Sequence, residues 1–309
     1  RAAAPACAGT SAAAPACAGT SAAAPACAGT TTPTSTRAAA PAAVTALGPA
    51  LGWLARWGVE PREWTTIDLT VTVLISVAVI FFTAAAITRG NRGLVLLATG
   101  LAGLLAALAL SLNAEWCSAA DTFVADWFDT HRTRRRDAEA GGVFGYIGRP
   151  LHVLVVAAIS GTLLSLRARS VLPALLVTGG VGLGAAAEGT LKAVIGRTAT
   201  TAPLEHYQHS YPSGHVTGSA ALLGLIAVCL GAAAGHTARA VLATAAVSGV
   251  VFVAFLALYT GAHTFTDVIG GMLLGGSIVA LGTAALSAWA PRGHHRSHPR
   301  TVSVGRERH

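Results

Sequence analysis

Charged residues are scarce in this sequence: Asp, Glu, Lys and Arg together occupy 11% of its 309 positions. Soluble domains carry about 25% charged residues, so the composition argues against a soluble fold with an ordinary charged surface. Apolar residues make up 53% of the chain, and the mean hydropathy is +0.60. Because the apolar residues come in long runs, the composition is typical of a protein whose solvent is a lipid bilayer.

Cysteine is also scarce, with five residues, three of which lie in an N-terminal repeat. No CxxC pair and no Cys/His spacing typical of zinc sites occurs, so we predict no metal site and no cofactor. The net charge of +8 would suggest a nucleic-acid partner in a soluble protein. Here the basic residues lie in short connections and in the C-terminal tail, which is a pattern of membrane topology, and we expect no nucleic-acid partner.

The N-terminal region lacks the large apolar side chains that a core requires. It begins with the decapeptide SAAAPACAGT in nearly three perfect copies, and such Ala-, Pro- and Gly-rich sequence is predicted to be disordered. The first residue is Arg, so we expect the natural start to lie upstream. In chain order we predict a disordered repeat, a Trp-containing interfacial segment, a transmembrane domain and a basic tail: residues 1–41, 42–66, 67–290 and 291–309.

Long apolar runs then define the fold class. A helix needs about 20 apolar residues to cross a bilayer. Seven runs approach or exceed this length, and the third is the shortest. They cover approximately residues 68–88, 93–112, 150–166, 171–191, 215–234, 239–259 and 265–289. The sequence therefore predicts an all-α, polytopic transmembrane helical bundle.

The distribution of arginine predicts the orientation of this bundle. Cytoplasmic loops carry an excess of Arg and Lys. With seven spans, the arginine-bearing connections and the C-terminal tail share one side: Arg89 and Arg92, Arg167 and Arg169, and Arg239. We predict that this side and the C-terminus are cytoplasmic, and that the repeat is outside.

One basic cluster falls on the predicted outer side, in the long loop 113–149. It contains Arg132, Arg134, Arg135 and Arg136. Residues 121–137 are predicted to form an amphipathic helix on the membrane. The cluster either faces solvent and lipid headgroups or gathers an anionic substrate.

Lys192 is the only lysine in a chain with 21 basic residues. It lies near the outer end of a span, and its compact charge suits a phosphate group. The alternative is a lysine that extends its side chain to the membrane surface. Glu188 lies one helical turn earlier on the same face, where it is expected to neutralise and orient Lys192.

The segment YPSGH places Ser213, Gly214 and His215 at the start of the fifth span. The first amides of a helix have no internal partner and the helix dipole is positive there, so this end can bind an anion. Ser213 alone is explained equally well as an ordinary N-cap. An N-cap does not explain His215, which is suited to donate a proton to a leaving alkoxide.

His263 and Asp267 have i, i+4 spacing at the start of the last span, which predicts that they share one helix face. A carboxylate on one imidazole nitrogen fixes the tautomer and leaves the other nitrogen nucleophilic. A structural His–Asp pair and a metal-binding pair are the alternatives. The metal pair is disfavoured because no third ligand has suitable spacing.

These three clusters resemble the type 2 phosphatidic acid phosphatase (PAP2) family of membrane lipid phosphatases, over roughly residues 150–290. The family pattern is a Lys with Arg-Pro downstream, then PSGH, then Ser-Arg followed by HxxxD. The resemblance implies a six-helix core, here with one extra N-terminal span, and metal-independent chemistry on the outer side. It further implies His263 as the nucleophile, Asp267 as its orienting partner and His215 as the acid. The phosphate oxygens would be held by Lys192, Ser213 and the Gly214 amide.

Two arginines of the family pattern are absent. Ala199 and Thr200 stand where Arg-Pro is expected, and Leu256 and Ala257 replace Ser-Arg. Each lost phosphate-binding Arg would cost about 10²–10³ in rate if nothing replaced it. Arg197 is the closest substitute and is predicted to bind phosphate; Arg149 and the cluster Arg132–Arg136 are further candidates.

The sequence thus predicts a membrane phosphatase that hydrolyses a lipid phosphomonoester or diphosphate through a phosphohistidine. Prenyl diphosphate, phosphatidic acid and phosphatidylglycerol phosphate are substrates of this type. Two alternatives remain: a transferase that acts on a lipid phosphodiester with the same histidines, and a catalytically inactive membrane scaffold. The oligomeric state is not predicted.

Overall fold

The computed structural model describes residues 65–197 and 210–289. The predictions for the repeat, the interfacial segment up to residue 64 and the basic tail lie outside the described residues. So do Ala199 and Thr200.

Within the described ranges the chain forms nine helices and no strands, which confirms the all-α prediction. We number them α1 Thr66–Ile87, α2 Asn91–Ser111, α3 Glu115–His131, α4 Arg134–Ile147, α5 Pro150–Ala168, α6 Leu172–Ile195, α7 Gly214–Gly231, α8 His236–Tyr259 and α9 Phe265–Trp289. Seven of them, all but α3 and α4, are long and apolar enough to cross a membrane. The chain is therefore a multi-pass membrane protein, as the seven apolar runs predict.

The helix ends follow from local sequence. Thr65 and Asp68 form a capping box at α1, in which each side chain accepts a hydrogen bond from the other's backbone N–H. Gly196 ends α6 with φ 63°, a left-handed conformation that glycine adopts without strain. This turn redirects the chain, so that Arg197 leaves the helix and reaches the neighbouring start of α9.

Helices α7 and α9 form the centre of the bundle. They pack against each other, α6 packs against both, and α8 and α2 contact α7 and α9 respectively. Half of the α9 span is buried within the protein, compared with 6% of the α1 span. The α1–α2 hairpin is therefore attached to the outside of the bundle through α2.

The region predicted as one amphipathic helix over residues 121–137 forms two helices, α3 and α4. Arg132 and Thr133 between them have extended backbone conformations. The Thr133 amide donates to the Tyr259 hydroxyl at 3.5 Å, which ties the break to the end of α8. Because the chain bends here, α3 packs on α8 and α9 while α4 packs on α8 and α5.

Glycines on α9 allow α7 to approach closely. A Cβ on Gly271 would lie 2.7 Å from the Ser213 carbonyl oxygen and 3.0 Å from the Val216 Cβ. One turn later, a Cβ on Gly275 would lie 2.5 Å from the Ala220 Cβ. Small residues four apart are the usual means of close helix packing in membranes. This contact holds the first turn of α7, with Ser213 and His215, against the first turn of α9.

Gly271→Ala is expected to lower the free energy of unfolding by about 1–3 kcal/mol, because the added methyl group forces α7 away from α9. Thermal unfolding in detergent would measure the change. Gly179→Ala on α6 is the matched control, since a Cβ there meets nothing within 4 Å. Equal unfolding midpoints for the two variants would contradict the close-packing account.

Candidate active site at the ends of three helices

His263 and Asp267 meet at the start of α9. Asp267 lies in the first turn of the helix and is completely buried, whereas His263 lies in the turn that precedes Phe265. Their proximity therefore comes from this turn rather than from a shared helix face. The His263 Nδ1 is 3.6 Å from the Asp267 Oδ2, longer than a hydrogen bond. The Thr264 amide donates to the same carboxylate oxygen at 3.2 Å and fixes its position.

Arg197 is the second partner of Asp267. Its Nη1 lies 3.0 Å from the Asp267 Oδ1, and its Nη2 lies 2.7 Å from the Asp121 Oδ2. Burial opposes the charge on Arg197, but the bonds and charges of the two carboxylates raise its pKa above the usual value. The residue that the sequence predicts as a phosphate ligand thus reaches the site bonded to two carboxylates.

Asp121 on α3 is a site residue that the sequence analysis missed. Besides Arg197, it accepts hydrogen bonds from the Thr266 amide at 2.7 Å and the Thr266 hydroxyl at 2.8 Å. These bonds provide an acceptor for the Thr266 amide in the first turn of α9, and they attach α3 to that turn. The available signal was a single carboxylate in an amphipathic segment, and nothing in the sequence connects it to residues 145 positions away.

Ser213 occupies the N-cap position of α7, but its hydroxyl makes no capping hydrogen bond. The Ser213 Oγ is fully buried and has no hydrogen-bond partner among the residues that the structure describes. Its amide donates to the Asp267 carbonyl at 3.0 Å, which connects the starts of α7 and α9. The ordinary N-cap explanation does not account for this hydroxyl.

His215 faces His263 across a short gap. The two ring centroids are 6.3 Å apart, with an angle of 61° between the planes. On its other side His215 stacks on Phe144 of α4, with centroids 4.1 Å apart, and a Cβ on Gly148 would overlap the ring. Phe144 and Gly148, which the sequence analysis did not identify, hold the imidazole in place.

Lys192 and Glu188 bring the third predicted cluster, at the end of α6, next to the start of α7. The Lys192 Nζ lies 2.6 Å from the Glu188 Oε1, and both side chains are largely buried. The Glu188 carboxylate also lies against Gly214, where a Cβ would overlap it. The end of α6 is therefore packed against the first turn of α7.

Ala257 stands at one of the two positions where the family pattern has an arginine. Ala257 is fully buried and belongs to an apolar cluster that also contains Phe144, Val216 and Val268. This side of the site is therefore packed with hydrocarbon. The second missing arginine, at Ala199, lies outside the described residues.

A cavity of about 180 Å³ borders His263 on the side of Arg197 and Asp267. Arg132, from the break between α3 and α4, lines it as well. The Arg132 Nη2 lies 3.1 Å from the Asp129 Oδ1, and a Cβ on Gly261 would lie 3.3 Å from this nitrogen. By contrast, the other arginines proposed as substitutes are exposed: Arg134, Arg135, Arg136 and Arg149.

Among residues 65–197 and 210–289, no group of three or more His, Cys, Asp or Glu side chains is arranged to hold a metal ion.

Part of the chain matches a known protein family. Residues 173–290 match the sequence profile of the PAP2 superfamily, a stretch that contains the predicted catalytic residues and Lys192, Arg197, Ser213 and Gly214, but not Arg149 or the cluster Arg132–Arg136. A search of curated proteins found no match. Among solved structures, the chain is similar to the crystal structure of the first transmembrane PAP2 type phosphatidylglycerolphosphate phosphatase from Bacillus subtilis. The TM-score is 0.58 and the identity 22%, over 63% of this chain and 98% of that chain. This similarity shows a shared fold.

Proposed function

We propose that this chain, whose residues 173–290 match the PAP2 superfamily profile, is a membrane lipid phosphatase that forms a phosphohistidine on His263. One observation carries the proposal: His263, backed by buried Asp267, faces His215, and two residues before His215 the buried Ser213 hydroxyl has no partner among the described residues. A nucleophile, an orienting carboxylate, a proton donor and an oxyanion donor thus meet in one place.

The proposed reaction has two steps. The His263 Nε2 attacks the terminal phosphorus, and the bond to the oxygen that joins it to the rest of the lipid breaks. His215 gives a proton to the departing lipid alkoxide of a monoester or the departing lipid phosphate of a diphosphate. Water, deprotonated by His215, then attacks the phosphohistidine, releasing phosphate and free His263. The Asp267 carboxylate near Nδ1 holds the proton on that nitrogen and stabilises the ring as charge develops. The described residues supply the nucleophile, the orienting carboxylate and the proton donor of both steps.

Arg197 and Asp121 act in this proposal mainly as positioning residues. The Asp267 carboxylate has Arg197 on one oxygen and the Thr264 amide on the other. Asp121 in turn holds Arg197 and the Thr266 amide. This buried network restricts the carboxylate to the side of His263, which pre-organises the nucleophile.

The proposed substrate is a lipid phosphomonoester or diphosphate, such as phosphatidic acid, phosphatidylglycerol phosphate or a prenyl diphosphate. A hydrophobic leaving group would enter from the bilayer between the spans. The arginine distribution supports a site on the extracytoplasmic side and a cytoplasmic C-terminus.

A second candidate is a transferase that acts on a lipid phosphodiester with the same histidines. Two observations favour it: Ala257 leaves no cation at one family arginine position, and Lys192 is paired with Glu188. A singly charged diester requires less positive charge than a doubly charged monoester.

Phosphate release from a panel of lipid phosphates by the purified protein, with and without EDTA, tests the phosphatase proposal. We expect release from at least one lipid monophosphate or diphosphate, unchanged by EDTA. Release that EDTA abolishes would overturn the metal-independent mechanism. No turnover of any phosphate monoester or diester would favour a membrane scaffold.

Arg132→Ala is expected to raise the KM for an anionic lipid phosphate about tenfold with little change in kcat, because Arg132 lines the cavity that borders His263. Steady-state kinetics at low ionic strength would measure both constants. Arg135→Ala is the matched control, since Arg135 is exposed and pairs with Glu139 on the α4 surface. Equal effects of the two substitutions would contradict a specific role for Arg132.

A further inference from the structure

Glu188 lies beside Lys192 and Gly214, two of the groups that the family resemblance assigns to the substrate phosphate oxygens. Its carboxylate pairs with Lys192 at 2.6 Å and lies against Gly214 at the first turn of α7. Only 16% of its side chain is exposed, compared with 17% for Lys192. A lysine and a helix N-terminus are the two groups that bind phosphate most readily here. The Glu188 carboxylate is bonded to the lysine and lies beside Gly214, the first residue of the helix.

The other cations that the structure describes around the site are also matched by carboxylates. Arg197 is bonded to Asp121 and Asp267, and Arg132 is bonded to Asp129. Within the described residues, therefore, Lys192, Arg197 and Arg132 each have a carboxylate partner, so the site offers little net positive charge to a doubly charged phosphoryl group. A second negative charge on the substrate would instead meet the Glu188 carboxylate at short range in a poorly solvated site, where repulsion is strong.

We propose that Glu188 is a specificity-determining residue that favours phosphoryl groups with one negative charge over those with two. This inference rests on the proposed function and names the charge state that its site accepts. Lipid phosphodiesters, and monoesters in their singly protonated form, fit the site without displacing Glu188. A role limited to orienting Lys192 predicts, by contrast, that removal of Glu188 affects singly and doubly charged substrates alike.

Two short-chain lipids with the same acyl groups separate these roles. Dihexanoyl phosphatidic acid is a monoester and dihexanoyl phosphatidylglycerol is a diester. At about pH 8, above the second phosphate pKa of about 6, they carry two charges and one charge respectively. Initial rates for the wild type and Glu188→Gln give KM and kcat for each lipid. Glu139→Gln is the matched control, because Glu139 forms an exposed i, i+4 pair with Arg135.

Glu188→Gln is expected to lower the KM for the monoester at least about tenfold and to change the KM for the diester less than about twofold. Glu139→Gln is expected to change neither. Equal changes for both lipids, or a higher KM for the monoester, would overturn the proposal. Glu188→Ala, which removes the charge together with the hydrogen bond, replaces Glu188→Gln if that variant does not fold.

A binding measurement keeps this inference separate from the proposed function. If the wild type turns over neither lipid and forms no phosphohistidine, the proposed function fails. Inorganic phosphate is then titrated against the thermal unfolding midpoint of each variant. Phosphate binding at least about tenfold tighter in Glu188→Gln than in the wild type supports the role of Glu188. Equal binding in the two proteins overturns it.

Discussion

His263→Ala is expected to lower kcat for phosphate release by about 10⁴-fold or more, because it removes the atom that forms the bond to phosphorus. Lipid binding should stay within about threefold of the wild type, since the hydrophobic part of the substrate does not contact this side chain in the proposed reaction. Initial rates and lipid binding, measured on the same preparation in detergent micelles, test both expectations.

His236→Ala is the matched control for this variant. His236 is exposed at the first turn of α8, the helix that ends near His263, so the substitution is expected to leave kcat unchanged. Retention of more than about a tenth of the wild-type rate by His263→Ala would remove His263 as the nucleophile.

Asp121→Ala is expected to destabilise the protein by about 3 kcal/mol, because it breaks a buried ion pair and leaves the Thr266 amide without its acceptor. At a temperature where the variant is still folded, kcat should fall about tenfold while KM stays nearly constant. The reason is that Arg197 is then free to shift, and Asp267 shifts with it. Thermal unfolding and steady-state kinetics give the two quantities.

Two further substitutions distinguish a positioning role for Asp121 from a general loss of stability. Asp121→Asn keeps an oxygen acceptor for Thr266 but not the charge, so it should restore part of the stability and less of the kcat. Asp126→Ala removes an exposed carboxylate from the same helix and should change neither. An Asp121→Ala variant with normal kcat would show that the Asp121–Arg197 pair does not position Asp267.

Hydropathy predicted most of the fold. A span requires a long apolar run whatever its neighbours are, so the seven spans and their approximate ends could be identified from composition alone. The convergence of Lys192, His215 and His263 was also predictable, because each lies at the same end of a neighbouring span. The match of residues 173–290 to the PAP2 superfamily confirms the family resemblance.

The sequence could not reveal the residues that reach the site from the 113–149 loop. Asp121 and Phe144 contact the site only because α3 and α4 fold back over α8 and α9. That path depends on packing between distant elements, and a polar loop has no hydrophobic period strong enough to predict it. The helix break at Arg132 was missed for the same reason.

The role of Arg197 shows a different limit of the sequence. Its spacing from Lys192 suggested a phosphate ligand, yet the same guanidinium bonds two carboxylates in the structure. Sequence spacing places a charge near a site, but it does not say which opposite charge is closest. Likewise, Glu188 was predicted correctly as the partner of Lys192, but its contact with Gly214 depends on how α6 and α7 pack.

The most direct test of the central claim is to trap the covalent intermediate. The protein is mixed with a lipid substrate labelled in its terminal phosphate, denatured in base within the first turnover, digested and analysed by mass spectrometry. The account predicts a base-stable, acid-labile phosphoryl group on His263 that is absent from His263→Ala. Substrate turnover with no labelled protein, or with the label on another residue, would contradict it.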